Sequence, residues 1–250
     1  AKIFITGSAD GLGQLAANSL IKLGHEVVLH ARNAERADLA TTFLPGAAGV
    51  LIADLSDISQ VKKLASEANA LGKFDAVIHN AGLYHPSGNN PDSLPVLFTV
   101  NSLAPYVLTC MMTRPDRLVY ISSDMHMQGN PHLDKLVLDG RDITYSDTKL
   151  HDLILAKSVA RKWNGVISNA IHPGWVPTKM GGTGAPDDLE LGYETQVWLA
   201  ASDDDQAKIS GRYLHHKQEQ HYLEQADDID VQEKFLTRCE EITGVRFPKS

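Results

Sequence analysis

The feature that most constrains this chain is a repeated alternation of short β-rich runs with longer helical stretches. "KIFIT" (2–6) precedes an amphipathic stretch from Leu12 to Leu23, "EVVLH" (26–30) a helical candidate over 34–43, and "GVLIAD" (49–54) another over 57–71. "FDAVIHN" (74–80) leads through a loop into an apolar helix over roughly 94–112. "RLVYISS" (117–123) precedes a polar insertion and then a helix from Tyr145 to Trp163. "GVISNAIHP" (165–173) and "GRYLHH" (211–216) read as further strands, with helices expected over 189–201 and 230–242. Several of these strands are apolar on both faces, as strands are when helices cover both sides of a parallel sheet. The pattern predicts βαβ units and an α/β, doubly wound sheet of about seven parallel strands.

Size and charge narrow the reading. A chain of 250 residues suits one α/β domain with a substantial core. No repeat or low-complexity linker divides it, so a single domain over 1–250 is expected. No apolar run approaches the ~20 residues that cross a bilayer. The chain opens on an apolar segment without a basic leader, and Cys110 and Cys239 are its two cysteines. A soluble protein of a reducing, cytoplasmic compartment is expected. Residues 1–186 hold 16 acidic and 16 basic side chains; residues 187–250 hold 15 and 7, which accounts for the net charge of −8. Such an acidic flank argues against nucleic-acid and membrane partners.

"TGSADGLG" (6–13) lies between the first strand and the first helix, with glycines at 7, 11 and 13. Glycines in that setting permit a tight turn and let a pyrophosphate approach the helix N-terminus. The alternative is an ordinary glycine-rich βα turn. The T-G-x-x-x-G-x-G spacing resembles the short-chain dehydrogenase/reductase family. Further elements match in order: "HNAG" (79–82), Asn101 in "TVNSLAP", "YISS" (120–123), the Y-x-x-x-K pair in "YSDTK", and "HPGWVPTKM" (172–180). The resemblance covers nearly the whole chain.

It implies a Rossmann-type fold in which residues 1–123 mainly hold a cofactor, while 124–250 supply the catalytic helix, substrate loops and acidic flank. It also implies catalytic roles for Asn101, Ser123, Tyr145 and Lys149, with Tyr145 as acid/base. Tyr145 and Lys149, four apart, would be neighbours on a helix, and a plain surface pair is the alternative. A free phenol with a pKa near ~10 is a poor base at neutral pH, and a nearby ammonium favours the phenolate. Ser122 competes with Ser123 for the serine role, and Asn101 has a plain reading as a polar residue in a helix kink.

The cofactor residues implied are Gly7, Ser8, Asp10, Gly11, Leu12 and Gly13 in the first loop, and Arg32 and Asn33 after the second strand. Asp54 and Leu55 follow the third strand, and Asn80, Ala81 and Gly82 the fourth. Tyr145, Lys149, Pro173, Gly174, Val176 and Thr178 complete the set. Arg32 stands where an acid would read a ribose 2′-hydroxyl and an arginine a 2′-phosphate, so NADP(H) is expected over NAD(H). Asp10 runs mildly against this, and Arg32 has a plain reading as a solvated residue opening a helix.

The separation of 22 positions between Ser123 and Tyr145, and the C-terminal segment, are similar to the retinol-dehydrogenase-like branch. Tyr84, His85, Trp175 and Met180 are candidates for a substrate wall, or they cap the core. A small carbonyl or alcohol is the partner implied, and self-association into a homo-oligomer stays open. His215, His216 and His221 lack a fourth ligand for a tetrahedral metal site, so no metal is expected. His126 is expected to be structural. Two other functions compete: a non-catalytic NADP(H) sensor, which would commonly lose the Tyr/Lys pair, and a sugar-nucleotide epimerase or dehydratase, whose loop spacing differs.

Overall fold

The computed structural model describes residues 1–86, 88–134 and 142–249. An eight-stranded sheet runs in the order β3-β2-β1-β4-β5-β6-β7-β8. The strands are β1 (Lys2–Ile5), β2 (Glu26–Ala31), β3 (Gly49–Ile52), β4 (Ala76–His79), β5 (Arg117–Ile121), β6 (Ile167–Ile171), β7 (Tyr213–His215) and β8 (Gln218–Glu219). The first seven pair in parallel. The eighth, absent from the expected seven, is a two-residue antiparallel hairpin partner of β7. Two residues show no period-2 pattern, and the turn that makes them possible, with positive φ at His216 and Lys217, carries no glycine.

Helices cover both faces. α1 (Gly11–Lys22), α2 (Ala34–Phe43) and α7 (Leu189–Ala201) pack with Ile3, Ile5, Val27 and Leu29 on one side. α3 (Ile58–Ala70), α5 (Ala104–Met111), α6 (Tyr145–Lys162) and α8 (Ile229–Thr243) pack with Phe4, Val28, Val77 and Tyr120 on the other. Alternate residues of β1 thus enter opposite cores, which is why its sequence reads as one continuous apolar run. The acidic C-terminal part is anchored to the fold. Phe235 and Cys239 of α8 are fully buried, and β7 extends the sheet.

The helix expected over 94–112 is broken. A short α4 (Val96–Phe98) passes into a π turn over Thr99–Leu103 before α5 begins. Pro105 has no N–H to return to the Asn101 carbonyl, and its ring crowds that carbonyl. The chain accommodates this with one wider turn, and the Ala104 N–H reaches back to the Thr99 carbonyl.

β1 and β4 are adjacent, while β2 and β3 lie on the far side of β1. The chain therefore reverses direction across the sheet between β1 and β4, where a crevice opens beyond the strand C-termini. Among the described residues, no helix is long and apolar enough to cross a membrane.

Candidate active site

The loops beyond the C-terminal strand ends line a cleft of about 910 Å³. Its cofactor-side wall starts with the glycine loop. Gly7 has φ +64, and a Cβ there would fall 2.8 Å from the Ala81 Cα. At Gly13 a Cβ would sit 2.4 Å from the Asn80 amide nitrogen and 2.6 Å from the Gly7 carbonyl. The two glycines let the loop press onto the end of β4. The Asn80 amide then clips it by donating to the Thr6 and Gly7 carbonyls at 3.0 and 3.1 Å.

Two further residues brace the turn. The Gly7 N–H donates to the His30 Nδ1 at 2.9 Å, and the Ser8 hydroxyl, fully buried, donates to the Ile5 carbonyl and accepts from the His30 N–H. Burial lowers the His30 imidazole to about 4, so the ring is neutral and its Nδ1 can accept. The side chain of Ser8 is thus turned into the fold rather than toward the cleft.

Asp10 stands at the N-cap of α1, yet its side chain makes no capping bond. The first helical N–H groups are therefore left without a side-chain acceptor beside the cleft. An anionic pyrophosphate fits them, in charge and in the close approach that the glycines permit. The Asp10 carboxylate instead pairs with Arg36 and, at 3.3 Å, with Lys179. Burial would raise it, but the two cations hold it below the usual carboxylate value. Arg32, Arg36, Asp54 and Leu55 border the same end of the cleft. Asn33 does not; its side chain caps α2 by accepting from the Arg36 N–H at 3.0 Å. Asp54 accepts from the Ser56 N–H and hydroxyl at 2.9 and 2.7 Å.

At the inner end α6 presents Tyr145 and Lys149. The helix starts on a capping box, Thr144 with Asp147, which places Tyr145 as its first residue. Lys149 is 4% exposed, and its Nζ lies 5.6 Å from the Tyr145 ring centroid. Both serines border the cleft, but their hydroxyls are engaged differently. Ser122 is buried and its hydroxyl donates to the Lys149 carbonyl at 2.7 Å. Ser123 opens onto the cleft, accepting from the Met125 N–H at 3.2 Å and donating to Asp124 at 3.1 Å. His126 is fully buried behind it, with its Nδ1 2.7 Å from the Ser123 carbonyl.

Asn101 lies just behind the cleft wall in the π turn. It accepts from the Leu83 N–H at 2.8 Å and donates to the Leu83 carbonyl and the Thr148 hydroxyl, tying the loop after β4 to α6.

The outer wall includes Leu83, Tyr84, Val96, Met125, Trp175 and Met180. The Tyr84 ring meets Tyr145 edge-on at 4.8 Å, and His85 lies tilted against Tyr84 at 3.9 Å without bordering the cleft itself. Pro173, Gly174, Val176 and Thr178 border it from the β6 side. Trp175 is 60% exposed, with its indole N–H donating to the Gly181 carbonyl at 2.8 Å. His215 stacks between His172 and His216. Among the described residues no cluster of three or more His, Cys, Asp or Glu could hold a metal.

The profile of the short-chain dehydrogenase family matches residues 1–188. The chain belongs to this family. It is an NAD(P)-dependent dehydrogenase by that membership. The short-chain dehydrogenase chyC of Penicillium rubens is 43% identical over 99% of both chains. Retinol dehydrogenase 14 of Mus musculus is 27% identical over 97% of this chain and 86% of its own length, consistent with the retinol-dehydrogenase-like branch. A solved structure of an uncharacterised Mycobacterium paratuberculosis protein superposes with a TM-score of 0.83 at 24% identity, over 99% of this chain and 94% of that one.

Arg36, Lys179, His30 and Asp152 are site neighbours that the motifs do not mark. Arg36 could have been found as the basic residue in the first turn of the helix that follows Arg32, and Asp152 as the residue three after Lys149. Lys179 is 169 residues from the Asp10 it meets, so no local signal could have paired them.

Proposed function

We propose that this dehydrogenase is an NADP(H)-dependent carbonyl reductase or alcohol dehydrogenase acting on uncharged, partly apolar substrates. The observation that carries the reading is the convergence of Tyr145, Lys149 and Ser123 on one cleft whose other end is lined by Arg32 and Arg36. The nicotinamide cofactor, when bound, supplies or accepts the hydride. In reduction the Tyr145 hydroxyl gives its proton to the substrate oxygen as charge builds there, and in oxidation the phenolate takes it back. Ser123 donates to that same oxygen. Lys149 supplies positive charge beside the phenol and a donor toward the nicotinamide ribose. Asn101 acts on α6 and the Leu83 loop through its three hydrogen bonds. Arg32 and Arg36 favour a 2′-phosphate by charge-assisted bonds.

The outer wall supports an apolar substrate, because aromatic and methionine side chains outnumber charges there. A non-catalytic sensor is the weaker reading, since Tyr145 and Lys149 both stand at the cleft. NADPH consumption followed against a panel of ketones, aldehydes and quinones tests the proposal. Turnover with a neutral carbonyl is expected. Tight NADPH binding with no turnover on any of them would favour the sensor instead.

A further inference from the structure

Lys149 carries a buried counter-charge. Asp152, three residues on along α6, accepts from the Lys149 Nζ at 2.9 Å, and both side chains are 5% exposed. The Nζ also donates to the Ile121 carbonyl at 2.7 Å. An ammonium has three N–H donors, so two are committed inside the protein and one is left for the cleft. Its direction is therefore set by the carboxylate and the strand end together, before any ligand arrives.

The surroundings of the carboxylate leave it dependent on this lysine. Among the described residues Lys149 is the cation that acts on it. Tyr120, from β5, is another titratable side chain within its influence, and its hydroxyl is engaged with Thr109 at 2.8 Å. His79, from β4, stacks on Tyr120 at 4.8 Å, and burial lowers its imidazole to about 3, so it is neutral. From α6 itself, Tyr145 acts on Lys149. Burial alone would lower the Lys149 ammonium. Asp152 and Tyr145 reverse this and hold it above the ordinary lysine value. Burial raises the Asp152 carboxyl to about 6 against the opposing pull of Lys149.

We propose that Asp152 is a positioning residue for the dehydrogenase reaction, aiming the Lys149 ammonium at the cleft and supplying its buried counter-charge. The proposal rests on the role given to Lys149 above. Without the carboxylate, Lys149 would have one backbone acceptor in dry surroundings, and burial would strip its proton at a lower pH. The ribose contact and the charge beside Tyr145 would go with it.

Asp152→Asn keeps the shape and an acceptor oxygen while removing the charge. NADPH binding, followed by nucleotide fluorescence near pH 7 and near pH 9.5, reads the difference. Near pH 7 the dissociation constant should stay within about 3-fold of wild type; near pH 9.5 it should be weaker by about 10-fold or more. A variant whose ratio to wild type is the same at both pH values overturns the proposal, because a merely structural role is indifferent to the lysine proton. Should Asp152→Asn not fold, the pair is tested from the other side. Lys149→Met strands a buried carboxylate, and adding Asp152→Asn removes it. The double variant should melt above Lys149→Met alone. If it does not, the carboxylate is not there for the lysine. Should Lys149→Met keep full turnover, the functional reading of the site fails. Should it lose turnover while Asp152→Asn tracks wild type at both pH values, this proposal alone fails.

Discussion

Replacing Arg32 by aspartate tests the cofactor edge of the cleft. Arg32 lies exposed at the end of β2 and borders the cleft, while Arg36 is already engaged by Asp10. A hydrogen bond from an arginine to a phosphate contributes about 1.5–3 kcal/mol, and exposure places Arg32 at the low end. Arg32→Asp also puts a negative charge beside the phosphate, at about 1 kcal/mol per charge pair near 4 Å in water. Together these amount to roughly 3 kcal/mol, or about two orders of magnitude in the dissociation constant. NADH lacks the 2′-phosphate, so its affinity should change little. The assay is a fluorescence titration of wild type and variant with NADPH and NADH at fixed ionic strength. Wild type should prefer NADPH, the preference should shrink as salt is added, and the variant should lose or invert it. Asp10→Asn provides the complementary arm. It frees Arg36 and Lys179, so NADPH should bind more tightly. Equal affinity of wild type for the two nucleotides would refute the reasoning, as would an unchanged ratio in Arg32→Asp.

Tyr145→Phe removes one oxygen and little volume, so NADPH affinity should survive while turnover falls by about 100-fold or more; near-normal turnover would leave the Tyr145/Lys149 pair a structural contact only. Gly13→Ala forces a Cβ to within 2.4 Å of the Asn80 amide and 2.6 Å of the Gly7 carbonyl. It should cost about 1–3 kcal/mol of stability and weaken NADPH binding, because the glycine loop must lift off β4. Gly11→Ala, with φ +56 and open space around its Cβ, should show only the strain of the left-handed backbone, about 1–2 kcal/mol. For pH, burial depresses the imidazoles of His30 and His151 to about 4 and of His79 to about 3. Their contribution is fully present above the unfolded value near ~6.5 and is lost as pH falls toward the folded values, since the unfolded chain binds more protons there. Asp152, raised to about 6, acts in the opposite sense, but His172 is also lowered to about 4, so one group stands against four histidines. The melting temperature should therefore drop between about pH 6.5 and 4, and a flat profile across that window would contradict it.

Much of the architecture was legible because its signals are local. The helices over 34–43 and 189–201 have the bounds expected of them, and the reason is visible at their starts. Asn33 and Asp188 each cap the first turn with a side-chain oxygen. The glycine loop was legible because only glycine fits at 7 and 13. What failed were features that depend on contacts distant in sequence or on a single backbone atom. The apolar run over 94–112 reads as one helix, and it breaks ahead of Pro105, with Asn101 in a wider turn. The choice of Ser123 over Ser122 rests on the family likeness alone, and its physical reason, the Ser122 hydroxyl donating to the Lys149 carbonyl, lies in a contact 27 residues away. Residues 135–141 of the polar insertion, part of the branch likeness, lie outside the described residues.

The arrangement of charge in the cleft follows one rule with two outcomes. Asp10 pairs with Arg36 and Lys179 at the cofactor edge, and Asp152 pairs with Lys149 at the inner end. The Asp10 side chain is 41% exposed, and its pairs are worth on the order of 0–1 kcal/mol each. Exchanging a carboxylate for a phosphate there costs little, so Arg36 can be handed to an arriving anion. The inner pair is 5% exposed on both sides. Breaking it from one side leaves an uncompensated buried charge at about 3–5 kcal/mol, so it does not exchange. Solvent exposure thus separates the two carboxylates by role. On the proposed reading, the outer one should tune how tightly a nucleotide binds and with what salt dependence. The inner one should leave affinity near neutral pH almost untouched and instead set the charge that Tyr145 works beside.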